Sequence, residues 1–129
     1  AVVSIEVNGF ALQGLDRAQQ KLERAARLGA PRSASWVEQK LPRNGTPVVA
    51  ASDYVSSVPD LIRPWIGDRY VALGTDGFGR SDTRAALRAF FEVDRRAIAL
   101  AALDALDAAA AAQARSAWGL QASDPPWVR

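Results

Sequence analysis

Gly74-Thr75-Asp76-Gly77-Phe78-Gly79-Arg80-Ser81-Asp82 places three glycines within six residues, between a strand-like run (Arg69 to Leu73) and a helix-like run (Thr83 to Phe91). Neither helix nor strand propensity puts glycine so densely. It marks backbone that turns tightly or passes close to something. A strand, a tight turn and a helix N-terminus together also make a place for an anion. The spacing of Gly74, Gly77 and Gly79 is not the dinucleotide fingerprint, however, and no lysine-serine pair follows as in a P-loop. The expected role is a tight turn with Asp82 as N-cap of the next helix, and with Asp76, Arg80 and Asp82 as a charged cluster that holds it. An anion- or nucleotide-binding loop is the alternative.

Upstream, Ala1 to Val7 alternates as a strand, with Val3, Ile5 and Val7 on one face, and Asn8-Gly9 closes it. Asp16 is the expected cap of a helix to about Leu28, with a stripe of Ala18, Leu22, Ala25 and Ala26 and with Gly29 at its stop. Ser35 or Ser33 caps a short helix, Trp36 to Leu41, whose face is Trp36, Val37, Lys40 and Leu41. Thr46 to Ser52 carries the apolar run Val48-Val49-Ala50-Ala51, the pattern of a strand covered on both faces. Asp53 then follows as a cap candidate. Tyr54, Val58, Leu61, Ile62 and Trp65 share one helical face; Ser57 as N-cap would place Pro59 in the first turn, where its missing N–H is harmless.

Downstream, Ala86, Leu87 and Phe90 form the buried side of the helix after the loop. Asp94 caps the last helix, with Val93 and Ile98 as a hydrophobic staple. The alanines at 108–112 favour helix most strongly and carry it towards Trp118, with Gly119 as the stop. Strands alternating with helix-length crossovers imply an α/β layered sandwich with a mostly parallel sheet flanked by helices. Three strands make a thin sheet, which suggests that at least one strand is missing from the fragment or is supplied by a neighbour.

The 129 residues suit one domain. Cysteine and histidine are both absent, which removes disulfides, thiolate ligands, the usual neutral-pH general base and the commonest metal ligand. The composition therefore argues against a self-contained active site. A net charge of +2, with basic residues dispersed among acidic ones, gives no nucleic-acid face. No apolar run reaches bilayer length, and no secretory leader pattern opens the chain. Trp36, Trp65, Trp118 and Trp127 read as core or interface anchors. A sequence that begins at Ala1 is expected to be a piece of a longer one.

From Pro47 onward the residues are similar to a known family. Pro47-Val48-Val49-Ala50-Ala51-Ser52-Asp53-Tyr54, then Ile62-Arg63-Pro64-Trp65, then Arg69 through Arg84 with the glycine loop, and finally Phe90-Phe91-Glu92-Val93-Asp94 resemble the C-terminal domain of the homodimeric, bacterial-type pyruvate dehydrogenase component. Phe78-Gly79-x-Ser81 also resembles the matching loop of transketolases, which share this domain. The resemblance implies a transketolase C-terminal-like domain over residues 1–129, part of a cytoplasmic enzyme that decarboxylates pyruvate on thiamine diphosphate held by magnesium. The acetyl unit passes to the lipoyl group of dihydrolipoyl acetyltransferase. Cofactor, magnesium and catalytic residues belong to the upstream domains, so none is expected in this chain. The loop Gly74, Asp76, Gly77, Phe78, Gly79, Arg80, Ser81 and Asp82 becomes a candidate contact with the second subunit of a homodimer or with the upstream domains. Three departures stand out: the strand and helix that open the family's domain are not found before Val2, so the fold is expected to lack them; the first thirty residues match poorly; and the region around Ala108 to Ala112 looks shortened. A free-standing interaction module descended from this domain is the alternative reading.

Overall fold

A computed structural model describes residues 9–41, 44–67, 69–123 and 125–128. The strand expected at Ala1 to Val7 lies outside them. The elements run α1 (Gly9–Arg27), α2 (Trp36–Lys40), β1 (Val48–Ala51), α3 (Ser57–Asp60), α4 (Arg63–Ile66), β2 (Tyr70–Leu73), α5 (Arg84–Phe90), α6 (Arg95–Leu106) and α7 (Ala108–Ala117), then a closing 3₁₀ turn, Pro126–Val128. No helix among the described residues is long and apolar enough to cross a membrane.

α1 begins at Gly9, and Asp16 is not its cap. Asp16 sits inside the helix, where it accepts a 2.8 Å hydrogen bond from the Gln20 amide. The helix reaches further back because Leu12 and Leu15 continue the inward stripe, at spacings of three and four, to Gln19 and Leu22. Ala18, placed on the stripe by the sequence, is exposed. The helix ends as expected at Gly29: Ala30 N–H donates to Ala25 O and Gly29 N–H to Ala26 O, which satisfies the last carbonyls. Ser35, not Ser33, caps α2. Glu38 N–H donates to Ser35 Oγ, and Ser35 N–H donates back to the Glu38 carboxylate at 2.9 Å. The Ser35 N–H, helped by Arg32 at 2.7 Å, holds the Glu38 carboxyl below the usual carboxylate range despite some desolvation. Val37 points into the core, whereas Trp36 of the same expected face is 47% exposed.

β1 and β2 are parallel, with Val48 opposite Tyr70 and Ala51 opposite Leu73. The helix expected from Tyr54 to Trp65 is two short helices. Pro64 has no N–H, and its ring would strike the carbonyl of Asp60 if one helix ran through. The chain therefore stops at Asp60 and restarts at Arg63. Ser56, not Ser57, occupies the N-cap position of α3, without a side-chain cap. Leu12, Val37, Ile62, Ile66 and Tyr70 form the core, with Val48, Ala50 and Ala72 of the sheet packed against it. The other face of β2, Val71 and Leu73, shares a groove with Ala97, Leu100, Ala101 and Ala105 of α6. Helices thus cover both faces of a parallel pair, an α/β layered arrangement.

The Tyr70 hydroxyl donates to Pro59 O at 2.6 Å, and the Arg63 guanidinium lies 4.9 Å above its ring. Burial, then the Asp60 charge, pushes the Tyr70 phenol up to about 12, against a smaller pull from Arg63.

Asp82 does not cap α5. Thr83 does, through Oγ1 accepting from Ala86 N–H at 3.3 Å. The far end of α5 closes on Glu92, with φ 53, using the same bond pattern as Gly29: Val93 N–H to Arg88 O and Glu92 N–H to Ala89 O. Asp94 caps α6 as expected, accepting from Arg96 and Ala97 N–H. The last helix is two. Asp107 ends α6 and caps α7, its carboxylate accepting from Ala109 N–H at 2.9 Å and Ala110 N–H at 3.1 Å. Gly119 stops α7.

Candidate functional site

Parallel pairing brings the carboxyl ends of β1 and β2 to one edge of the sheet, the edge where open α/β folds place their sites. Two loops leave it, 52–56 after β1 and 74–83 after β2. Gly74 is where they meet. A Cβ there would lie 2.6 Å from Ser56 Cα and 2.8 Å from Tyr54 O, and closer still to Ser56 N. Only glycine allows this approach, and it lets three hydrogen bonds form. Thr75 N–H donates to Tyr54 O at 2.9 Å, Thr75 Oγ1–H donates to Asp53 O at 3.0 Å, and Ser56 N–H donates to Asp76 Oδ1 at 2.8 Å.

The charged cluster expected of Asp76, Arg80 and Asp82 divides in two. Asp76 turns inward to the Ser56 amide. Arg80 and Asp82 remain together at 3.8 Å, both half-exposed, and Asp82 also accepts from Thr83 N–H at 2.8 Å. Arg80 lies 4.5 Å above the Phe90 ring, a cation–π contact that ties the loop to α5. Gly77 takes φ +112 against Trp127. Phe78, next to it, is 94% exposed. Gly79 has open space around its Cα, and Ser81 is exposed.

Asp53 serves as no cap. Its carboxylate meets the Arg88 guanidinium at 3.0 Å and Arg84 at 3.8 Å. The sequence reading missed this pairing because it joins residues 35 apart, on a loop and a helix brought together by the fold. It named Trp127 as an anchor without its partner, Gly77 on the glycine loop. Beside the Asp53–Arg88 pair opens a cleft of about 940 Å³, lined by Leu12, Tyr54, Arg88, Asp94 and Arg96 among others. Three amides at the two ends of the loop are engaged: Thr75 N–H by Tyr54 O, Thr83 N–H by Asp82 and Ala86 N–H by Thr83.

The family model of the transketolase-like TK C-terminal domain matches residues 2–94. The chain belongs to that family. The match takes in both strands and the glycine loop and ends at the α6 cap. It begins at residue 2, so its range includes most of the first thirty residues, which were expected to match poorly. Similar proteins are the pyruvate dehydrogenase E1 components of Cupriavidus necator, 57% identical over 72 residues and 56% of this chain, of Mycobacterium tuberculosis, 45% over 76 residues and 59%, and of Escherichia coli, 47% over 64 residues and 49%. These matches span 7–8% of the relatives' own length. They bear out the resemblance read from Pro47 onward and the α/β fold that it implies.

Proposed function

We propose that this chain is the C-terminal domain of a thiamine-diphosphate-dependent pyruvate dehydrogenase, the cytoplasmic component that decarboxylates pyruvate and hands acetyl to a lipoyl group. The observation that carries the reading is 57% identity over 72 residues to an E1 component. Its partners would be the upstream thiamine-binding domains of its own chain, a second subunit, and dihydrolipoyl acetyltransferase.

The described residues do not fit magnesium. Among the described residues no group of three or more carboxylates, histidines or cysteines could hold a metal ion. Asp53, on the loop after β1, is taken by two guanidiniums, which oppose a cation beside it. No chemical step is therefore routed through the cofactor at these residues. Their part in the parent is to hold and present the loop of Gly74, Asp76, Gly77, Phe78, Gly79, Arg80, Ser81 and Asp82 as a contact with another subunit or domain. Phe78 supports this, since an apolar side chain almost wholly in water on an anchored loop suits an interface anchor.

Two measurements test the proposal. Calorimetry of this chain with thiamine diphosphate and magnesium is expected to show no saturable heat; a saturating isotherm would overturn the assignment. In the full-length parent, Arg80→Ala is expected to weaken dimerisation, read by sedimentation, before it weakens cofactor affinity. Loss of cofactor affinity with the dimer intact would place the loop in a different role.

A further inference from the structure

The last described residues double back onto the glycine loop. A Cβ at Gly77 would fall 2.9 Å from Trp127 Cβ and 3.2 Å from Trp127 O, so the backbone of the tail lies directly against the loop. The Trp127 ring sits 6.2 Å from Phe91, tilted by 37°. Phe91 is buried and meets Phe90 edge-on at 4.9 Å, and Phe90 carries the Arg80 guanidinium on its face. Both limbs of the loop therefore rest on one aromatic stack: Gly77 through Trp127, and Arg80 through Phe90. Phe78 stands between the two anchored points and projects into solvent. The loop, Phe90 and Phe91 lie within residues 2–94, matched to the family, whereas Trp127 lies well beyond them.

We infer that Trp127 is a pin supplied by the C-terminal tail, which holds the glycine loop in the conformation that presents Phe78. The loop's other restraints, the bonds of Thr75 and Asp76, act at its start, near Gly74. From Gly77 to Arg80 its described contacts are the aromatic stack and the half-exposed Arg80–Asp82 pair, which lies within the loop itself. Removing the indole takes away the outer member of that stack and opens space beside Gly77. The tail then governs whether Phe78 is displayed on a fixed loop or on a loose one. A fixed anchor binds more tightly because the ordering cost is already met. The value of the pin to assembly rests on the contact proposed for the loop; the pinning itself does not.

Trypsin reads the pin directly, because Arg80 is itself a cleavage site and half-exposed. Cleavage of a transiently opened loop follows the population of the open form. An aromatic contact of this kind is worth enough to raise that population about tenfold when lost. Cleavage after Arg80 in Trp127→Ala, and in a chain ending at Ala122, is expected to be about tenfold faster than in the full chain. Cleavage after Arg32, in a loop without contact to the stack, should stay unchanged. Equal rates at Arg80 in all three proteins would overturn the pin, as would a parallel rise at both arginines, which signals general loosening. Gly77→Ala supplies the second arm. Its effect on Arg80 cleavage is expected to be large in the full chain and smaller once the tail is gone, whereas simple additivity would count against contact between them. If the pin holds but Trp127→Ala leaves dimerisation of the parent unchanged, the contact role of the loop fails and the pin stands.

Discussion

Replacing Gly74 by alanine should damage this fold far more than the same change at Gly79, five residues along the same loop. At Gly74 a methyl group would meet backbone on every side: Ser56 N, Ser56 Cα at 2.6 Å and Tyr54 O at 2.8 Å. No rotamer change can relieve a clash with main chain, so the two loops at the strand ends must separate. Separation breaks the Thr75 N–H to Tyr54 O bond, worth about 1 kcal/mol net, and the Ser56 N–H to Asp76 carboxylate bond, worth about 2 kcal/mol because the acceptor is charged. The sum, about 3 kcal/mol, is a large part of the ~5–15 kcal/mol that holds a domain together. For a chain of this size it corresponds to a fall of roughly 10 °C in the melting temperature. Gly79→Ala, with nothing within 4 Å of its new methyl and no positive φ, should lie within about 0.5 kcal/mol of the parent. Thermal and urea unfolding by circular dichroism would measure both, and hydrogen exchange at residues 52–56 and 74–76 would locate the damage. Equal stability of the two variants would refute the claim that close backbone approach is why glycine stands at position 74.

Tyr70→Phe leaves the Pro59 carbonyl without its buried partner and should cost about 1–2 kcal/mol at neutral pH. Because burial raises the folded-state pKa of Tyr70 to about 12, the tyrosine's contribution is complete below pH 10 and is lost as pH rises through 12, by up to about 3 kcal/mol. Urea midpoints taken from pH 8 to 12 should fall more steeply for the parent than for the variant, and parallel curves would contradict the burial argument. Asp107→Ala removes the acceptor for the Ala109 and Ala110 N–H groups and should lower stability by about 1 kcal/mol, with Asp107→Asn retaining most of it. An alanine variant as stable as the parent would mean that packing, not the cap, separates α6 from α7.

What could be read from the residues was local. The ends of α1 and α7 were visible because glycine stands at 29 and 119, where the chain turns left-handed. The end of α5 makes the same turn at Glu92, and no residue type there announces it. β1 and β2 were visible as short apolar runs, because each has helices packed over both faces and so no wholly solvent-facing side to carry polar residues. The helix caps at Asp16 and Asp82 were misplaced for one reason: an acidic residue before an apolar run satisfies the rule equally whether or not a better start lies nearby. At α1 the Leu12 and Leu15 contacts supplied one, and at α5 the neighbouring Thr83 took the cap. Tertiary pairs were out of reach. Nothing in Asp53, read along the chain, indicates Arg88, and nothing in a proline-rich tail indicates Gly77. Gln19 shows the limit in the core itself. It is 1% exposed in the middle of an otherwise apolar stripe, and a polar residue at that spacing reads as a break in the face.

The three glycines that mark the loop turn out to answer to different constraints. Gly74 is fixed by Ser56 and Gly77 by Trp127, both within this chain. Gly79 meets nothing within 4 Å, and Phe78 beside it gives up almost no surface to its own fold. A buried phenylalanine contributes about 1.5–3 kcal/mol, and an exposed one forgoes that. Neither residue helps the domain as it stands, yet both sit on backbone anchored at each end, by Asp76 and Trp127 on one side and by Arg80 on Phe90 on the other. Rigid support under residues with no internal partner is what a contact surface requires, because the ordering cost is met before the partner arrives. It follows that Gly79 and Phe78 should be silent in the stability of this chain and felt only in assembly. Gly74, by contrast, should be felt in both.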